Sequence, residues 1–82
     1  MRQNQSGERI RVARAMQKPD ISQKDLVARM QLEGFKVSEN MISRIEIGAR
    51  YVTDLELIGF AKVLKVSIVW LLGETNDPTR NR

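Results

Sequence analysis

Two helix starts separated by a single glycine lie in residues 22–48, SQKDLVARMQLEGFKVSENMISRIEIG, and no other stretch limits the possible folds of this chain as tightly. Ser22 can offer its hydroxyl to a free backbone N–H at a helix start, while Asp25, three residues on, accepts from the Ser22 N–H in return. Leu26 and Met30 follow at i, i+4. Gly34 ends that helix, because glycine enters the left-handed conformation that a helix C-terminus often requires, and Phe35 and Val37 supply apolar anchors in the turn. Ser38 starts a second helix, in which Met41, Ile42 and Ile45 form a narrow inward stripe. Ser38, Glu39, Asn40, Ser43 and Arg44 remain at its start and on its outward face. Asparagine can pair bidentately with adenine and arginine with guanine, and serine or glutamate can take the other donors and acceptors of a major groove. These five are the candidate base-reading residues.

Charge follows the same division of the chain. Residues 1–50 hold ten basic and six acidic side chains, whereas residues 51–82 hold four of each, so the whole net charge of +4 sits in the half containing this stretch. A basic segment favours a polyanion through counterion release. The chain has no cysteine and no histidine, which removes disulfides, Cys/His metal sites and any triad that needs imidazole or thiol. No nucleophile–base pair, glycine-rich phosphate loop or metal-ligand spacing occurs, so neither an enzyme nor a bound cofactor or metal is expected. Eighty-two residues suit one domain, which buries only roughly 60% of its unfolded surface. No run approaches a membrane span, and the polar first residues do not form a signal peptide, so a bacterial or phage cytoplasm is expected.

The flanks predict three more helices, for an all-α, five-helix domain with helices at about 7–17, 22–33, 38–47, 53–65 and 67–72, a flexible arm over 1–6 and a flexible tail over 74–82. In the first helix Ile10 and Ala13 keep helical spacing, Arg14 falls one turn after Ile10 on the inward side, and Arg9 and Arg11 are expected in solvent. Lys18 and Pro19 end it. Thr53 and Glu56 repeat the reciprocal cap, and Ser67 can cap the last helix. Residues 68–72 are five apolar residues in a row. Either Ile68, Val69 and Trp70 are covered by a second copy at a dimer interface, or Trp70 lies along the fourth helix and Val69 alone is exposed.

At Gln23, Leu26, Ser38, Ile42, Ser43, Ile45, Glu46 and Gly48 the chain resembles the helix-turn-helix DNA-binding domain of Cro and phage-repressor-type regulators, over about residues 7–73. It departs from that pattern between Leu26 and Ser38, where it is about five residues longer, so either the first helix of the pair runs on or the turn bulges. The resemblance implies a compact domain that reads double-stranded DNA as a homodimer, with helix 38–47 in the major groove. It implies a structural ion pair between Arg14 and Glu46 and a phosphate contact from Gln23. Lys24, Lys36, Arg50 and Tyr51 complete the candidate phosphate set, although Lys24 can equally be a free surface lysine and Tyr51 a core aromatic. The alternative is a protein-interaction module on the same fold, such as an antitoxin that masks a toxin.

Overall fold

Hydroxyl caps start four of the five helices of the computed structural model, which describes residues 1–80. They are α1 (Gly7–Met16), α2 (Gln23–Leu32), α3 (Glu39–Glu46), α4 (Asp54–Leu64) and α5 (Ile68–Leu71), with no strand among the described residues. Ser22 Oγ accepts from Asp25 N and Ser22 N donates to Asp25 Oδ2, both at 3.0 Å. Thr53 and Glu56 repeat the exchange at 3.1 and 3.0 Å. Ser38 and Ser67 cap α3 and α5 by accepting from Met41 N and Trp70 N. Each cap satisfies a donor that the helix itself cannot. Gly34 at φ 92° closes α2, whereas α4 is closed by Lys65 at φ 60°, a left-handed conformation taken there without glycine.

Ile10, Leu26, Met30, Ile42, Ile45, Phe60, Leu64 and Leu71 form a fully buried core. Around it α1 packs on α3, α4 and α5, and α2 packs on α3 and α4. The extra residues between Leu26 and Ser38 fall into both alternatives only in part: α2 stops at Leu32, and the remaining length is a broad turn over 33–38. Phe35 is half-buried there and its ring lies over Gly59 of α4, where an added Cβ would come within 2.6 Å of Cε2 and Cζ. Val37 is buried, and its carbonyl accepts from Gln31 Nε2 at 3.2 Å. These contacts, together with the bonds from Gly34 N to Gln31 O at 2.9 Å and from Phe35 N to Met30 O at 3.1 Å, anchor the turn.

The described residues of both ends, expected as a flexible arm and tail, make contacts with the helices. Residues 1–6 run along the end of α3: Gln3 N donates to Gly48 O at 2.7 Å, Asn4 and Arg2 bind further carbonyls, and Ser6 is buried. The tail folds back through Arg9, which was expected in solvent and instead donates to Trp70 O at 3.0 Å, Thr75 O at 2.6 Å and Asn76 Oδ1 at 3.1 Å. Ser67 N also donates to Pro78 O at 3.0 Å. Residues 81 and 82 lie outside the described residues. No helix is long and apolar enough to cross a membrane among the described residues.

Candidate nucleic-acid interface

Helix α3 divides into two chemically distinct sides. Ile42 and Ile45 have no exposed surface and Met41 packs half-buried beside them. On the other side Glu39, Asn40 and Arg44 are exposed and Ser43 is half-exposed. Glu39, Asn40 and Ser43 make no side-chain hydrogen bond among the described residues, and Arg44 reaches only Ala49 O, at 3.3 Å. Ser38 is exposed as well, but its oxygen serves as the α3 cap, which leaves its O–H as the group free to face outward.

The orientation of α3 is fixed by one carboxylate. Glu46 accepts from Arg14 Nε at 2.8 Å and Arg14 Nη2 at 3.0 Å, and from Gln23 Nε2 at 3.0 Å. Arg14 Nη1 continues to Ile21 O at 2.9 Å. The hydrogen bond that Arg14 donates to Glu46 raises the Arg14 pKa further above its ordinary value, against burial, which lowers it. The side chains of Arg14 and Glu46 are 17% and 4% exposed, so the expected ion pair is present, and Gln23 extends it into a bridge joining α1, α2 and α3. The Gln23 side chain is thus engaged by Glu46, a use that helical spacing within α2 does not reveal, whereas the phosphate contact expected of Gln23 runs through the backbone N–H groups at the start of α2.

Arg50, too, is engaged within the chain. Its Nη1 and Nη2 bind Glu56 Oε1 and Oε2 at 3.1 and 3.2 Å, and Nη1 also reaches Tyr51 O at 2.9 Å. It clamps the α4 cap with three of its five N–H donors and keeps its side chain 29% exposed. Lys24, Lys36 and Tyr51 are exposed, Tyr51 by 72%, which sets aside the core placement of Tyr51. Trp70 is only 6% exposed and lies under the Arg9 guanidinium, 4.8 Å from its ring centroid. The ring is therefore covered within its own chain. Ile68 is half-buried, and of the three Val69 alone is exposed. No cluster of three or more potential metal-ligating side chains occurs among the described residues.

The carboxylates that cap α2 and α4 set an acid limit. Burial pushes Glu56 up, but the hydrogen bonds from Arg50 and the Thr53 N–H outweigh it and hold the carboxyl below its ordinary value. The Ser22 N–H and hydroxyl lower Asp25. A folded pKa below the unfolded one stabilises above the unfolded value and is lost as pH falls through the folded one. Thermal stability is therefore expected to drop between about pH 5 and about pH 3, and Glu56→Gln should be less stable at neutral pH with a shallower acid slope. Parallel melting-versus-pH curves for the two proteins would overturn this account.

Comparison of the chain with models of known families, with curated proteins and with solved structures returns no match.

Proposed function

We propose that this chain is a sequence-specific regulator of transcription that binds double-stranded DNA through a helix-turn-helix formed by α2 and α3, and that it acts as a homodimer on a two-fold site. The observation that carries the reading is the two-sidedness of α3. Its inner side is held by the core and by the Arg14–Glu46–Gln23 bridge, while Glu39, Asn40 and Ser43 stand outward with no internal partner. A helix fits the major groove, about 12 Å wide, where such groups meet base edges. Lys24, Lys36 and Tyr51, all exposed, supply contacts to the phosphates that set register without reading sequence. Two α3 helices would meet half-sites roughly 34 Å apart.

Selection of bound sequences from a random duplex pool tests the reading. On the selected site Asn40→Ala and Arg44→Ala should each cost about 1–3 kcal/mol and cost little on random duplex, with two chains sedimenting on each site. If both variants leave the ratio of selected to random affinity unchanged, the reading fails.

One observation favours a second reading, the protein-interaction module. Leu55 and Ile58, at i, i+3 on the outward side of α4, are 67% and 50% exposed, an apolar pair away from the candidate groove-facing residues. A protein partner lost on Ile58→Glu, together with wild-type behaviour of Asn40→Ala and Arg44→Ala on duplex, would favour this reading over the first.

A further inference from the structure

The first residues of the chain close the end of the helix that carries the candidate site. The last carbonyls of a helix lack intrahelical donors; here the turn after α3 serves Ser43, Arg44 and Ile45, and the N-terminal segment adds a second donor to Ile45 O and one to Glu46 O. Asn4 Nδ2 donates to Ile45 O at 3.0 Å and to Arg50 O at 2.8 Å, two carbonyls on either side of the turn at Gly48. Its Oδ1 accepts from Gly7 N at 2.6 Å. Arg2 Nη2 adds a bond to Glu46 O at 3.1 Å, and Gln3 N one to Gly48 O at 2.7 Å. The arm lies so close that a Cβ on Gly48 would stand 2.9 Å from Arg2 Cγ and Cζ. Only a primary amide can serve at position 4, because two donors must face the carbonyls while one acceptor faces the start of α1.

We propose that Asn4 is a positioning residue for DNA reading: by tying the start of α1 to both sides of the Gly48 turn, it holds the end of α3 and the loop 48–51 in one register against the duplex. The proposal rests on the DNA-binding reading above. Arg44 is coupled to the same turn through Ala49 O, so the brace and a candidate base-reading side chain meet at one loop. Tyr51, the exposed candidate phosphate contact, follows directly on the Arg50 carbonyl that Asn4 holds.

The test uses the full chain as wild type, Asn4→Ala and Asn4→Asp. Aspartate keeps the acceptor for Gly7 N and loses both donations, so it separates the brace from the α1 cap. In the free protein, amide exchange of Gly48 and Ala49 relative to Leu64 should quicken roughly tenfold in both variants, the size expected for two neutral hydrogen bonds. With duplex, the ratio of selected-site to random-pool affinity should fall by about the same factor. Unchanged relative exchange overturns the brace. Faster exchange with an unchanged affinity ratio makes Asn4 structural only and overturns the positioning role. If the wild type itself selects no sequence, the DNA-binding reading falls and the positioning role with it, while the exchange data still report the brace by itself.

Discussion

Glu46→Gln is expected to lower the free energy of unfolding by about 3 kcal/mol, near the bottom of the range for breaking a buried ion pair by removing one partner. The amide still offers one oxygen, but it places an NH₂ against a guanidinium that has no other carboxylate in contact among the described residues. The lower end applies because Arg14 keeps 17% of its side chain in solvent. For a domain of this size the loss corresponds to a melting temperature lower by roughly 10–25 °C. Because Glu46 also holds Gln23, the variant should loosen the angle between α2 and α3 as well. A melting temperature within about two degrees of wild type would show the bridge to be peripheral.

Gly7→Ala is the second large effect, and its sign runs against helix propensity. Alanine in place of glycine in a helix ordinarily stabilises by about 1 kcal/mol. Here a Cβ would overlap the Ile45 carbonyl oxygen of α3 and come within 2.9 Å of Ile45 C and Asn4 Oδ1. The obstacle is backbone, which cannot rotate away as a side chain can. α1 and α3 would have to separate, at a cost of about 3 kcal/mol, the upper part of the usual range for overpacking. Chemical denaturation gives the value directly, and a Gly7→Ala protein as stable as wild type would mean that the two helices do not approach this closely.

How much of this was legible in the sequence depends on how local each signal is. The caps at Ser22 and Thr53 were readable because both partners lie three residues apart, and the structure makes those bonds. The inward placement of Ile42 and Ile45 followed from helical period alone. The Arg14–Glu46 pair, separated by 32 positions, was reached through a resemblance. Nothing comparable points to Asn4, whose carbonyl partners lie 41 and 46 positions away, in a segment that is merely polar in sequence. Glu56 illustrates a different limit. Its capping role was legible, but the same carboxylate also binds Arg50 across a non-helical loop, where no spacing rule applies. In residues 68–72 composition suggested a continuous apolar surface, yet a single turn of helix turns Trp70 and Leu71 inward and Val69 outward.

The placement of the two indole and phenol rings gives this small chain a pair of separate optical reporters. Its single tryptophan, Trp70, is sealed in the seam where α5 meets α1 and α4, beneath Arg9, which also grips the tail. Its single tyrosine, Tyr51, stands in solvent just beyond α3. Tryptophan emission therefore follows detachment of the tail and global melting, while tyrosine emission follows whatever approaches the loop after α3. The unlabelled protein can thus be titrated and melted in one cuvette, with occupancy and folding read from different wavelengths.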